Sequence, residues 1–252
     1  MDYIVLVFVA IIGLILGSFM SVIVARLDNK SGILIGRSEC PKCLVQLRWY
    51  DLVPLFSFLI LGGKCRYCKE KISFIYPIME LSMAGSLLLY YWFNGPFISW
   101  EIIHGFIVIF ILLALAFFDY KHYILPDKLM FTGLAVSLAY LIFIRPDVLL
   151  GSILTGFGLA GFFAIIYLVS RGEWMGFGDV KLVLLVGFIL GYPAGLLSII
   201  AAVWAGAIFG IALMVIGRAN LKTALPFGSF ICGVSILFFI FNNYVKILLS
   251  GL

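Results

Sequence analysis

Charge is what this sequence has least of. Only 12% of its 252 residues are Asp, Glu, Lys or Arg, while 64% are hydrophobic and the mean hydropathy is +1.21. So little charge excludes an ordinary water-soluble globular domain and describes an integral membrane protein. Other absences narrow the class. No Lys or Arg precedes the apolar stretch at 3–25, which is also longer than the core of a secretory signal, so this stretch is expected to be a retained span and not a cleaved leader. No Gly-x-Gly-x-x-Gly fingerprint follows a strand, so there is no nucleotide fold to read from spacing. No inverted repeat of the transporter kind is apparent.

What is present is a series of uncharged runs, at 3–25, 81–100, 102–118, 129–144, 148–170, 182–217 and 223–245. A helix needs about 20 residues to cross the hydrocarbon core. The run at 182–217 has 36 and is expected to fold back at Gly-Tyr-Pro-Ala-Gly, around Pro193. The expectation is an all-α polytopic membrane protein of about eight transmembrane helices, of which the one over 180–191 is short. Fifteen of the 17 Lys and Arg lie in 26–72, 119–128, 171–181 and 217–223, leaving only Arg145 and Lys246 elsewhere. The positive-inside rule places those four segments in the cytoplasm. The first is the one large loop, and its net charge of +5 equals that of the whole chain. This charge reads first as topological and second as attraction to anionic lipid headgroups. No nucleic-acid partner is expected.

Within that loop stand Cys-Pro-Lys-Cys and, 21 residues on, Cys-Arg-Tyr-Cys. Cys40, Cys43, Cys65 and Cys68 can present four thiolates to one ion, a zinc-ribbon-like S4 site. Two disulfides are the competing reading, disfavoured in a reduced cytoplasmic loop. Fewer than about 50 residues cannot bury much core without a staple, and four cysteines leave no open coordination position. The metal is therefore expected to be structural Zn²⁺. Cys232, alone in the last run, reads as a small buried residue.

Carboxylates in or at the edge of the apolar runs are few. Glu80 and Glu101 lie near run ends, where water is expected to reach them. Asp127 follows Pro126 and can cap a helix beginning there. Asp119 ends one run, and Asp179 stands in Gly176-Phe177-Gly178-Asp179 before another. A carboxylate at mid-bilayer costs about 2.5–3.5 kcal/mol on insertion scales, and topology brings these two to the same face. Paired carboxyls at close range share a proton, one acting as base toward water and the other as acid toward a carbonyl. Gly176 and Gly178 are read as allowing unusual backbone conformations and close approach of a substrate backbone, presenting Asp179 from a flexible edge. Lys181 either snorkels to the headgroups or binds acidic groups of a substrate. Paired aspartates also relay protons or bind cations in transporters, which is the alternative function from another class.

Four stretches together resemble the bacterial type IV prepilin peptidase family, bifunctional leader peptidases and N-methyltransferases among the GxGD membrane aspartyl proteases. They are LGSFMSVIVARL, the loop from CPKC through LRWYDLVPLFSFLILGGKCRYCKEKISFIYPIMEL, DYKHYILPD and GFGDVKL. The resemblance implies catalytic Asp119 and Asp179, with Asp127, Gly176, Gly178 and Lys181 supporting the catalytic loop. It implies type IV prepilins or pseudopilins as substrates, cleaved at the cytoplasmic face of a bacterial inner membrane, and N-methylation of the new terminus with S-adenosylmethionine. Residues 1–25 would be the first transmembrane helix, 26–75 the cytoplasmic zinc-binding loop and methyltransferase region, and 76–252 the bundle carrying the protease site. The methyl-donor residues are not assigned. Two positions depart from the family pattern: Ser21 stands for asparagine, and PFGSF has Ser229 for proline. Neither belongs to the dyad or the cysteines, so both are expected to bear on substrate fit.

Overall fold

The structure is a computed structural model that describes residues 3–27, 37–95, 99–218, 220 and 223–242. Asp28 and Lys30 of the loop, Lys222, and Lys246 near the C-terminus lie outside the described residues. Among those described the chain is all-α, with two isolated β-bridges and no strands. The α-helices are α1 (Tyr3–Arg26), α2 (Phe56–Ile60), α3 (Ile75–Asn94), α4 (Trp100–His122), α5 (Asp127–Phe143), α6 (Pro146–Val169), α7 (Phe177–Leu190), α8 (Ala194–Val215) and α9 (Phe227–Ile240).

All but α2 fall on the expected apolar runs, and the long run breaks where expected, α7 ending at Leu190 and α8 beginning at Ala194. Four helices, α1, α4, α6 and α8, are long and apolar enough to cross a membrane by length and composition. Eight crossings do not follow from those two properties, since α7 and α9 have only 14 residues each. The outward side chains fit lipid. Phe8 and Ile15 of α1, Leu154 and Phe157 of α6, and Trp204 and Ile208 of α8 are all exposed. Apolar surface on this scale is unfavourable in water and suits hydrocarbon.

The chain divides into two compact units, Met1–Trp92 and Phe93–Leu252. In the first, α1 meets α3 through glycine. A Cβ on Gly13 would stand 2.5 Å from the Ala84 Cα, and one on Gly17 2.5 Å from the Glu80 Cα. Only glycine at this four-residue spacing lets two membrane helices approach so closely. Glu80 is buried, not open to water as the sequence suggested, and its Oε2 accepts the Leu55 N–H at 2.8 Å. That bond satisfies a backbone donor at the start of α2, where Leu55 holds a φ of +59° and no side-chain cap is present.

In the second unit α4 supplies much of the core, with Ile109, Leu112, Ala114, Leu115 and Phe118 fully buried. Beyond Lys181, helix α7 is apolar all round and packs against α5, α6, α8 and α9. Its contact with α6 is the tightest, because a Cβ on Gly187 would lie 2.4 Å from the Gly156 Cα. A short helix enclosed in this way is a rigid mount for whatever stands in its first turn.

Candidate active site

That first turn holds Asp179. Helix α7 starts after Gly176, whose backbone is extended (φ −77°, ψ 151°), and the Asp179 N–H donates to the Gly176 carbonyl at 3.1 Å. The expected flexible edge is absent: Asp179 is helical, and neither Gly176 nor Gly178 has a positive φ. What Gly178 supplies is space, since a Cβ there would sit 3.3 Å from the Leu125 Cβ.

Asp119 occupies the last turn of α4, which closes where Tyr123 takes the left-handed conformation and its N–H donates to the Asp119 carbonyl at 2.8 Å. The Asp119 carboxylate is buried, with 5% exposure. Its Oδ2 accepts the Ser229 N–H at 2.7 Å and the Ser229 hydroxyl at 3.0 Å. The same Oγ stands 2.9 Å from the Ala116 carbonyl, so one hydroxyl proton serves both α4 acceptors. Ser229 lies in the first turn of α9, whose dipole favours an anion, and its N–H is shared between Asp119 Oδ2 and the Pro226 carbonyl at 3.2 Å. Gly228 makes room for it, because a Cβ there would lie 3.1 Å from Asp119 Cγ and Oδ2 and 3.1 Å from Leu125 Cδ1.

The C-terminus of α4 and the N-termini of α7 and α9 therefore converge around Leu125. They bring Asp119, Asp179 and the buried Cys232 thiol within electrostatic reach of one another. Sequence reasoning missed Leu125, Gly228 and the role of Ser229, which it assigned to substrate fit although the residue touches Asp119 directly. The available signal was a Pro-Phe-Gly helix start beside a basic segment. Asp127 does not cap α5 through its side chain. It pairs instead with Lys181 at 2.6 Å, tying α5 to α7. Lys181 also lies 5.3 Å over the Phe177 ring and 5.8 Å over that of Phe131. It is held at the rim by these partners and does not simply snorkel.

In the first unit the two cysteine knuckles are copies of one turn. Cys40 donates its N–H to Val45 and Cys65 to Glu70, while Leu44 donates back to Cys40 and Lys69 to Cys65. Leu44 and Lys69 share a left-handed φ of 57° and 60°, and bridges Glu39 to Gln46 and Lys64 to Lys71 close the two turns. The four sulfurs are free thiols, all within 4.8 Å of one another, with the Cys40 and Cys68 Sγ atoms 3.8 Å apart. A tetrahedral site with Zn–S near 2.3 Å requires sulfurs about 3.8 Å apart, so the cluster can bind a metal such as zinc.

The thiol chemistry agrees. The backbone N–H groups of Cys43 and Lys42 bring Cys40 down to about 7. At Cys68 a backbone bond from Glu70 acts in the same direction, but burial and the three neighbouring sulfurs outweigh it and push that thiol up to about 12. Four such groups ionise together only around a cation. A further tie joins the second knuckle to the 3₁₀ segment Trp49–Asp51. Asp51, with a side chain 2% exposed, accepts the Arg66 Nε at 2.7 Å. Burial acts against its ionisation, but Arg66 and the Arg48 N–H hold it below the usual carboxylate range.

Two family models match the chain. The bacterial peptidase A24 N-terminal domain covers residues 11–94, and the type IV leader peptidase family covers 106–211. Relatives named prepilin leader peptidase/N-methyltransferase include those of Vibrio cholerae, Bacillus subtilis and Pseudomonas aeruginosa. The protein of Vibrio cholerae is 36% identical over 207 residues, 76% of this chain and 79% of its own. That of Bacillus subtilis is 31% identical over 245 residues, 95% of this chain and 98% of its own. That of Pseudomonas aeruginosa is 30% identical over 248 residues, 88% of this chain and 85% of its own. No solved structure matches the chain.

Proposed function

Because the chain belongs to the type IV leader peptidase family, we propose that it is a membrane aspartic endopeptidase removing the leader of type IV prepilins or pseudopilins at the cytoplasmic membrane face. The observation that carries this reading is the convergence of Asp119 and Asp179, from helices 60 residues apart in sequence, at one set of helix ends.

One carboxylate takes a proton from water as its oxygen bonds to the scissile carbonyl carbon, and the other gives its proton to the carbonyl oxygen. In the second half the first carboxyl passes its proton to the departing amine nitrogen as the C–N bond breaks. The second recovers a proton from the gem-diol as the new carboxyl group forms. Gly176 leaves room for an extended substrate backbone beside Asp179, Gly178 supports the site by letting Leu125 pack against the first turn of α7, and the Asp127–Lys181 pair fixes the register of α7 against α5. Eight helices, with α7 and α9 crossing as short spans inside the bundle, keep the basic segments and this site on the cytoplasmic side of a bacterial inner membrane.

The relatives' names also support a second activity, N-methylation of the new terminus, and the loop over 26–75 is its proposed location. Cys40, Cys43, Cys65 and Cys68 would hold one structural Zn²⁺, which fixes the loop's fold and has no open position for chemistry. S-adenosylmethionine would supply an electrophilic methyl group, and no residues of this chain are assigned to it. The test is incubation of the purified protein in lipid with a prepilin, followed by mass spectrometry. A mass loss equal to the leader supports the reading, and an unchanged prepilin contradicts it.

A further inference from the structure

One stretch of the loop between α1 and α3 is unlike the rest of it. Charged residues stand throughout 37–71 except at 52–63, Leu-Val-Pro-Leu-Phe-Ser-Phe-Leu-Ile-Leu-Gly-Gly, which lies between Asp51 and Lys64. Helix α2 forms its centre, and the two faces of that helix differ. Phe58 packs within the loop, its ring 5.4 Å from that of Phe74 and so near Gly63 that a Cβ there would stand 3.1 Å from it. Phe56, Leu59 and Ile60 face out, with exposures of 62%, 72% and 79%. Three such side chains on little more than one turn are unfavourable in water. The backbone of the segment, by contrast, does not depend on water. The N–H groups of Ser57, Leu59, Leu61, Gly62 and Gly63 donate to carbonyls within 53–59, and Leu55 donates to Glu80 of α3 at 2.8 Å. Internal pairing of this kind is what hydrocarbon demands of a backbone.

The helices to which the segment is tied give its depth. Glu80 lies against Gly17 of α1, and Gly17 precedes Arg26 by nine residues, or about 13 Å of helix. A helical side chain leans toward the start of its own helix, so the Glu80 carboxylate reaches back toward Ile75, five residues or about 7 Å away. The Leu55 N–H therefore lies about 6–13 Å deeper than Arg26, beside the uncharged part of α1, a depth like the roughly 5–10 Å of interfacial helices. Ile15 and Phe19, on either side of Gly17, are exposed, so acyl chains reach this level. Arg48 precedes the segment and Lys64, Arg66, Lys69 and Lys71 follow it, a pattern suited to anionic headgroups.

We propose that residues 52–61 enter the bilayer as a re-entrant wedge, with Phe56, Leu59 and Ile60 among the acyl chains of the leaflet on the loop's side and the flanking basic residues at its anionic headgroups. The cysteine loop is then anchored in lipid at its middle as well as held at its two ends. Insertion requires that α1 spans the bilayer and is independent of the peptidase chemistry.

The test is photolabelling of the full chain, purified with zinc, in vesicles of phosphatidylethanolamine and phosphatidylglycerol containing a phospholipid with a diazirine in its acyl chain. Adducts are mapped by mass spectrometry. Labelling of Phe56, Leu59 and Ile60 should come within about 3-fold of that of Ile15 and Phe19, and labelling of Lys69 and Glu70 in the second knuckle should be at least about 10-fold lower. Leu59→Asp combined with Ile60→Asp changes two exposed positions and should lower the adducts on Phe56 at least about 10-fold, with those on α1 unchanged. Unlabelled 56–60 beside a labelled α1 would mean that water or another protein surface covers α2, and overturns the wedge. Equal labelling of 56–60 and 69–70, or undiminished labelling of Phe56 in the double variant, overturns it as well. If Ile15 and Phe19 are themselves unlabelled, the membrane reading of α1 fails together with the wedge.

Discussion

The cysteine loop and the aspartate site obtain order in opposite ways. In the loop the cysteines of each pair are separated by only two residues, the turn around each pair is the same, and neither the 3₁₀ segment Trp49–Asp51 nor α2 contains a buried apolar residue. With the proposed Zn²⁺ in place, its fold would depend on chelation and on the Asp51–Arg66 pair more than on a core. The aspartate site has no local order at all. Asp119 and Ser229 are 110 residues apart and meet only because α4, α7 and α9 pack around Leu125. A local constellation survives as a pattern in sequence, whereas an assembled one leaves only its chemically expensive members visible. The difference also predicts that the two regions fail separately when damaged.

The largest effect should come from the dyad. Asp119→Asn and Asp179→Asn are each expected to slow leader cleavage by at least about 10³-fold, measured as the initial rate on a purified prepilin. Zinc content and insertion should not change, since the four cysteines belong to the other compact unit. Next comes the metal. Cys40→Ser should lose the zinc and the methyl transfer while cleavage stays within about 10-fold, because losing one thiolate disorders the loop and leaves the helix ends of the bundle in place. Elemental analysis should find one zinc per chain, retained in Cys232→Ser. Acid should release the metal by protonating the thiolates.

Gly228→Ala should have an intermediate effect, slowing cleavage about 10-fold, since its Cβ pushes directly on the Asp119 carboxylate and on Leu125. A rate equal to the unsubstituted chain would show that the contact relaxes without consequence. The smallest effect belongs to Asp127→Asn. It breaks a pair in which the Asp127 side chain is 56% exposed, so cleavage should fall only a few-fold.

These contrasts mark how much could be read before any coordinates. The apolar runs announced the helices, and Pro193 announced the break between α7 and α8, because hydropathy and backbone chemistry are local properties. Asp119, Asp179 and the four cysteines stood out because charge and thiol pairs are rare in such a chain. Glu80 was misjudged, since proximity to a run end does not reveal that α1 packs closely over it at Gly17 or that it satisfies the Leu55 N–H. Asp127 looked like a helix cap because Pro-Asp starts helices, but the nearby ammonium of Lys181 on another helix wins the carboxylate. The glycines before Asp179 suggested backbone freedom where the packing of Leu125 needed only space. Ser229 was assigned to substrate fit, because its partner Asp119 lies on a different helix 110 residues away.

The most direct test of separate sites uses the Asp179→Asn chain in liposomes. It is given an intact prepilin in one reaction and an already cleaved pilin in another, both with S-adenosylmethionine, and the pilin N-termini are read by mass spectrometry. The prediction is a prepilin that keeps its leader and a pre-cleaved pilin that gains its methyl group. Leader loss at the unsubstituted rate would remove Asp179 from the peptidase site, and failure to methylate the pre-cleaved pilin would mean that one site performs both reactions.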